Sequence, residues 1–330
     1  MLLRQKADMS EITQYLERLQ TLAAGSAGTR LLNARVLIMA GKDEDAKKVL
    51  SNLSTTVVTK VNEEQMKEAA SITERIDMKA SAEKIWDNLI KYNTRNTKGK
   101  ICFLARAAGI TPALDAVHRG ILNLKKNEVL DIIPVIFQLS EKPGTPNEIT
   151  RAEQIAQSVV KPKDDPFEYQ FFVGQFLESQ NEVEQALAKY EELLKSPTLT
   201  KIQKAFVQNN LANLLALSGT DVPRARKLID EALYTMGSSS GLLDTRAVIC
   251  LRSSDPSDIN QAISDLQHAL VTKPDALYYF HLAMAYMKKD NRNLARISFN
   301  LAKKMDPHLA KDIMKLERKD YEAIAEPLSK

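Results

Sequence analysis

Small residues recur at similar intervals along the second half of this 330-residue chain. The alanines concerned are separated by 39, 37 and 33 residues and lie at Ala186, Ala225, Ala262 and Ala295. Each is followed at helical spacing by larger apolar residues, as Ala295 is followed by Phe299. A period of this length, with a helical apolar pattern inside it, indicates a stack of similar helical units.

Residues 276–309 are the clearest unit. The first part predicts a helix from Ala276 to about Lys288, with apolar residues at i, i+3, i+4 and i+7. The polar stretch KKDNRN then interrupts the pattern, and a second helix is predicted from Leu294 to about Lys304, before the pair Asp306-Pro307. The small residues Ala283 and Ala295 would let the two backbones approach closely. The unit is therefore predicted to be an antiparallel helix hairpin.

Similar pairs of patterns occur upstream, and one hairpin cannot bury its apolar face alone. Neighbouring hairpins must therefore stack, each touching only the next. The predicted fold class is all-α, an α-solenoid of about seven to eight stacked hairpins, some of them degenerate. Such a stack would wind into a right-handed superhelix with one concave and one convex side.

The helical units of this chain resemble the tetratricopeptide repeat. The pattern of that repeat is W-x2-L-G-x2-Y, then A-x3-F, then P, at a period near 34 residues. Residues 276–309 match it at nearly every position, with Tyr279 in place of the usual Trp and Ala283 in place of Gly. The other matching segments are 27–60, 167–200, 205–239 and 240–275, the last with a longer turn, SSDPSD. The closing KLERKDYEAI resembles the end of large bacterial multi-repeat proteins of this superfamily.

The resulting division of the chain has five parts. They are an N-terminal capping helix at 1–26, tetratricopeptide-like repeats at 27–126 with the second and third degenerate, a degenerate helix pair at 127–166, four repeats at 167–309, and a C-terminal capping helix at 310–330. Pro162 and Pro166 mark the expected bend between the degenerate pair and the four repeats.

Composition narrows the function classes. The net charge of +4, from 46 basic and 42 acidic residues, is small for a nucleic-acid-binding chain. Neither a signal peptide nor a membrane-spanning run is visible, so a soluble, cytoplasmic chain is expected, although it could be a piece of a longer protein. Cys102 and Cys250 lack the spacing of a disulfide framework or a zinc site.

In tetratricopeptide repeats the first helix of each hairpin lines the concave groove, and the resemblance implies groove residues on four helices. They are Glu168, Phe171, Phe172, Gln175, Asn209, Asn210, Asn213, Thr245, Val248, Arg252, Phe280, His281, Met284 and Lys288. Asn210 and Asn213 stand out because asparagine is a mediocre helix former, whereas its amide can both donate to and accept from a peptide backbone. The alternative is that these amides bond a neighbouring helix or water.

Chaperone-binding relatives carry Lys and Arg beside Asn at set first-helix positions to hold a peptide carboxylate. Asn213 fits one such position, but Phe171, Phe172, Val248 and Met284 stand where the other residues would be expected. Phe171, Phe172, Phe280 and Met284 instead suggest an apolar groove suited to an amphipathic helix or an apolar peptide. The alternative is that these apolar residues pack against the neighbouring repeat.

Catalytic and metal-binding patterns are not found in the sequence. The four histidines, His118, His268, His281 and His308, are not at metal-ligand spacing, and only His281 is a groove candidate. No phosphate-binding glycine motif or nucleophile elbow occurs. The sequence predicts a chain that is not an enzyme and has no cofactor and no metal.

The predicted function is a protein–protein interaction scaffold or adaptor that holds a peptide segment or partner protein in its concave groove. One alternative is the interaction arm of a larger multidomain enzyme or of a secretion or assembly machine. Another is nucleic-acid binding through basic clusters such as residues 91–100, whose aromatics are expected to point into the core. Self-association as a homodimer is a further alternative.

Overall fold

The computed structural model describes residues 9–140, 142–163, 166–253 and 255–329, which contain helices and no strand. The first eight residues, part of the predicted N-terminal cap, lie outside the described residues. The chain divides into two compact units, unit 1 (Met1–Asn123) and unit 2 (Leu124–Lys330).

Unit 1 consists of one leading helix and three hairpins. Its helices are α1 (Met9–Ala23), α2 (Ala27–Met39), α3 (Asp43–Leu53), α4 (Glu63–Arg75), α5 (Lys79–Tyr92), α6 (Thr97–Ala107) and α7 (Ile110–Gly120). The pairs α2/α3, α4/α5 and α6/α7 pack together, and α1 packs on α2. The segments interpreted as degenerate repeats thus form hairpins.

Unit 2 contains five further hairpins and a C-terminal extension. Its helices are α8 (Lys126–Leu139), α9 (Pro146–Val159), α10 (Pro166–Ser179), α11 (Val183–Leu194), α12 (Lys201–Ser218), α13 (Val222–Met236), α14 (Ser240–Leu251), α15 (Pro256–Thr272), α16 (Ala276–Lys288), α17 (Arg292–Met305), α18 (Leu309–Asp312) and α19 (Arg318–Ser329). Consecutive helices from α8 to α17 pair as hairpins, and first helices also contact each other in the pairs α8/α10, α12/α14 and α14/α16. The predicted all-α fold of stacked antiparallel hairpins is confirmed.

The small residues that revealed the period lie where helices touch. The second-helix alanines Ala186, Ala225, Ala262 and Ala295 are all fully buried. Gly174 of α10 faces the ring of Tyr190 in α11, and a Cβ at Gly174 would lie 2.5 Å from that ring. The small residues therefore recur in the sequence because helices contact each other closely at those positions.

Among the described residues, six hairpin turns share one backbone feature, a residue with a positive φ angle one or two positions after the end of the first helix. These residues are Gly41, Asp77, Gly109, Asn181, Gly219 and Asp290. Glycine, asparagine and aspartate are the residues that adopt this left-handed conformation at least cost. Gly219, for example, has φ +71° and ends α12 while its N–H bonds the last turn.

The chain after α17 does not continue as a regular hairpin. It passes through α18 and a 3₁₀ turn at Lys315–Glu317 before α19. Helix α19 packs against α16 and α17, whereas α18 contacts α8 and the 3₁₀ turn contacts α12. The stretch between α17 and α19 therefore crosses several earlier hairpins of unit 2.

Candidate functional site

The predicted groove residues lie on α10, α12, α14 and α16, or just after α14 in the case of Arg252, and we call the surface made by these elements the first-helix face. Partly or fully exposed members are Glu168, Phe171, Gln175, Asn209, Asn210, Asn213, Arg252, Met284 and Lys288. Buried members are Phe172, Thr245, Val248, Phe280 and His281. The structure thus separates the predicted set into residues that retain some exposure and residues that are already enclosed.

Phe172 is 1% exposed and stacks on Phe176, which in turn meets Phe137 of α8 edge to face. Its ring therefore fills the core between α8 and α10. Phe171, one residue earlier, is partly buried and lies beside Tyr190. Phe172 thus packs toward the neighbouring repeat, as the alternative interpretation of the sequence had it, whereas Phe171 contacts Tyr190 of its own hairpin.

Helix α12 carries a stripe of accessible side chains. Phe206, Asn210 and Asn213 follow one another at helical spacing, with Asn209 beside them, and Phe206 is 43% exposed. We call Phe206, Asn209 and Asn210 the open part of the first-helix face. Thr200 begins the helix with a capping box, since its hydroxyl accepts from the N–H of Gln203 while the Gln203 side chain accepts from the N–H of Thr200.

A polar network connects the open part to the helices beneath it. The Asn210 amide donates to the Tyr190 hydroxyl at 3.2 Å, and the Asn209 amide donates to the side-chain oxygen of Asn210 at 3.2 Å. Burial raises the pKa of Glu178 to about 8, against the opposing effect of its hydrogen bond with Tyr190. Asn210 is thus bonded to the adjacent helix, as the alternative interpretation of the sequence had it.

Asn209 ends this network. Its amide oxygen is buried and has no hydrogen-bond partner in the described part of the chain. A buried acceptor without a donor costs about 1–3 kcal/mol, so native proteins seldom retain one without a reason. The open part therefore contains an acceptor whose hydrogen-bonding capacity is not used by the described residues.

Asn213, one turn further along α12, is covered by the chain itself. Its amide contacts the Met314 sulfur at 3.8 Å, and Gln138 of α8 donates its side-chain amide to the backbone carbonyl of Asp312. Both partners belong to the stretch from residue 306 to residue 321, which we call the C-terminal segment. Leu309 and Ile313 of this segment are buried in the core of unit 2.

His281 of α16 is enclosed between two carboxylates. Its Nδ1 lies 2.6 Å from Asp244 of α14 and its Nε2 lies 2.7 Å from Glu317 of the C-terminal segment. Burial alone would lower the pKa of His281, but the two carboxylates raise it to about 10. His281 is therefore an imidazolium at neutral pH and donates through both ring nitrogens.

Two further contacts fasten the C-terminal segment to the first-helix face. Arg252 donates to both carboxylate oxygens of Asp320, at 2.7 and 3.4 Å. The rings of Phe280 and Tyr321 lie 5.7 Å apart. We call Asn213, Arg252, Phe280 and His281 the covered part of the first-helix face.

A cavity of about 220 Å³ remains beside the C-terminal segment. Its lining includes His281, Asn213 and the carboxylates Asp244, Asp275 and Glu317. No group of three or more His, Cys, Asp or Glu residues that could hold a metal ion occurs among the residues that the structure describes.

Sequence reasoning missed Gln138, Asp244, Glu317 and Asp320, which touch the predicted groove residues or their segment. Asp244 offered a signal, because an acid stands there within the apolar run LLDTRAVICL. Such an acid is expected either exposed or paired, and here it is buried and paired.

The basic clusters are partly as expected. Lys100 is paired with Glu83 and Asp87, as a solvated mixed face predicts. The expectation that the aromatics of these clusters point into the core is wrong at Tyr92, which is 41% exposed between Lys91 and Arg95. Of the helices that the structure describes, none is long and apolar enough to cross a membrane.

No family model matches the sequence, and no curated protein matches it significantly. Solved structures do resemble it in fold. A tetratricopeptide repeat protein from Parabacteroides merdae is 13% identical, with 77% of this chain and 98% of that chain covered, at a TM-score of 0.43. Yeast Tom70 is 12% identical, with 98% and 85% covered, also at 0.43.

Human IFIT1, in a dimer with PPP-AAAA, is 17% identical, with 89% of this chain and 71% of that chain covered, at a TM-score of 0.43. Similarity at this level transfers no ligand and no partner to the present chain. One of these three structures is that of a tetratricopeptide repeat protein, the superfamily that the sequence resembles.

Proposed function

We propose that the chain is a non-catalytic protein–protein interaction scaffold that holds a peptide segment of a partner protein on the first-helix face of unit 2. One observation carries the proposal: this face already holds a peptide segment, its own residues 306–321, through side-chain amides, ion pairs and apolar contacts. Contacts of these kinds are those by which repeat and groove proteins retain extended or helical peptides.

The open part is the first place where a partner would bind. Phe206 supplies an exposed aromatic surface, which interfaces favour. Asn209 supplies a buried acceptor without a donor, which a backbone or side-chain N–H of the partner would satisfy once the Asn209 side chain turns toward the surface. Peptide recognition therefore needs no chemistry beyond hydrogen bonding and apolar burial.

The test is affinity capture from lysate of the source cells with the full chain and two matched variants. Asn209→Ala removes the acceptor, and Asn300→Ala removes an exposed asparagine from the second helix α17. We expect a protein that is retained by wild type and by Asn300→Ala and is lost, at least tenfold by mass-spectrometric abundance, with Asn209→Ala. Equal retention by all three chains would remove the open part as the binding surface.

A further inference from the structure

The C-terminal segment occupies the covered part in the manner of a bound peptide. It leaves the hairpin stack after α17, crosses to α8 and α12, and returns to α16 and α17 as α19. The segment is held by side-chain hydrogen bonds to residues that lie between 36 and 174 positions away in the sequence. The segment thus reveals which chemical groups this face accepts.

The polar contacts follow a simple pattern of charge. The segment contributes two carboxylates three residues apart, Glu317 and Asp320, at the 3₁₀ turn and first turn of α19. The face contributes the His281 imidazolium and the Arg252 guanidinium. Residues three apart lie on one side of a helix, so the spacing of the acids matches two cations on neighbouring first helices.

The apolar contacts lie on the N-terminal side of the acids. Leu309 is 3% and Ile313 is 2% exposed, and Leu316 packs against the core cluster of α12 and α13. A ligand for this face therefore has aliphatic residues first and a pair of acids after them. Its acids would replace Glu317 and Asp320 at His281 and Arg252.

We infer that the covered part is a second peptide-binding region, selective for a helix-forming peptide of a partner protein that carries a pair of acids, and that the C-terminal segment is its internal competitor. The acids of that peptide are three residues apart and follow aliphatic residues. The inference rests on the proposed function, since both require that the first-helix face binds peptides. It adds the chemical class of the ligand and a means of regulation.

Competition follows from tethering. A segment joined to its own binding site is present there at an effective concentration in the millimolar range, so it weakens any ligand that must displace it. The measured dissociation constant of the ligand equals its intrinsic value divided by the fraction of molecules in which the segment has left. Weakening the segment should therefore tighten binding of the external peptide.

The test uses the 330-residue chain and a fluorescein-labelled synthetic peptide with the sequence of residues 306–321, DPHLAKDIMKLERKDY. Three chains are compared by fluorescence anisotropy: wild type, the release variant Glu317→Gln with Asp320→Asn, and the control Glu322→Gln, an exposed acid on the same helix. The release variant should bind the peptide at least tenfold more tightly than wild type and the control.

Two additions make the result specific. Arg252→Ala introduced into the release variant should abolish the gain, and a peptide with the same two acids changed to amides should not bind. The single substitution Asp320→Asn is a milder release, because the Arg252–Asp320 pair is partly exposed and its loss should leave the fold intact. Hydrogen exchange of residues 306–321 reports whether the segment has loosened.

A loosened segment without peptide binding would overturn the inference and identify the segment as structural only. Peptide binding that is equal in all variants, including Arg252→Ala, would overturn it as well. A release variant that forms dimers and excludes the peptide would make a second copy the occupant, contrary to the inference. In each of these cases capture dependent on Asn209 would still stand, so failure here is distinguishable from failure of the proposed function.

Discussion

His281 makes the stability of unit 2 depend on pH above neutrality. Its folded-state pKa is raised from 6.5 to about 10, so the stabilisation is fully present below about pH 6.5 and is lost as pH rises through the folded value. The pKa of Glu178 is raised from 4.5 to about 8, so its contribution to stability also falls as pH rises, but over a lower pH range. The groups facing His281 are Asp244 and Glu317, with Asp275 near Asp244.

In a Glu178→Gln background, we therefore expect the free energy of unfolding from urea titration to fall by roughly 1 kcal/mol per pH unit between about pH 7 and about pH 9. Adding Asp244→Asn and Glu317→Gln removes both carboxylates and should flatten this dependence. A slope that persists in the triple variant would show that other groups cause it.

If Asn209 is retained for binding, replacing it should cost little or no stability. Asn209→Ala removes a buried acceptor that lacks a donor and places a better helix former in α12, while losing one hydrogen bond to Asn210. We expect the free energy of unfolding to stay within about 0.5 kcal/mol of wild type or to rise by about 1 kcal/mol. A loss of 2 kcal/mol or more, measured by urea unfolding, would make the residue structural.

For individual residues, the sequence predicted which face the candidates share. It did not predict all of the residues that contact them. Asn213, Arg252, Phe280 and His281 were predicted from repeat position and do meet one common segment. That their neighbours would be Met314, Asp320, Tyr321 and Glu317 could not be predicted, because no period relates a hairpin residue to a crossing segment.

Between elements, α10 approaches α11 closely at Gly174. Gly174→Ala would place a methyl group 2.5 Å from the buried Tyr190 ring, which must then shift. Overpacking of this kind costs roughly 1–3 kcal/mol, and we expect a loss of that size in urea unfolding. The matched control Gly241→Ala, in α14, meets no atom within 4 Å and should stabilise by up to about 1 kcal/mol.

If both glycine variants lose the same stability, the cause is not the Tyr190 contact.

At the scale of helices and hairpins, the sequence predicted the structure well. The last hairpin was predicted at Ala276 to about Lys288 and Leu294 to about Lys304, and it is found at Ala276–Lys288 and Arg292–Met305. The recurring Gly, Asp or Asn after six of the first helices was a further signal of the turns, which the search for apolar periods overlooked.

For the whole molecule, the small net charge argues against nucleic acid, whereas the exposed Tyr92 between Lys91 and Arg95 favours it locally. We expect no binding of a labelled single-stranded RNA of about 20 nucleotides at about 150 mM salt, measured by anisotropy. Binding that weakens steeply with salt and is lost in Lys91→Ala with Arg95→Ala would support the nucleic-acid alternative instead.

The division of the chain into caps, degenerate repeats and a bend at Pro162 stays a prediction, as do the absence of catalysis, the cytoplasmic location and a homodimer. The boundary between the two compact units lies between Asn123 and Leu124, close to the predicted end of the degenerate repeats at residue 126. Each of these predictions concerns a relation between distant parts or copies, about which a short-range pattern carries little information.

The sequence by itself determined the hairpins and the residues at which they touch. In a stack of repeats each unit contacts only its neighbour, so the packing is written in spacings of three, four and about 35 residues. Only the tertiary structure decided where residues 306–321 run, and hence that His281 lies between Asp244 and Glu317 and that Gln138 meets Asp312, 174 positions away. Such contacts depend on the path of a non-repeating segment through space, because its side chains find partners by charge and shape rather than by period.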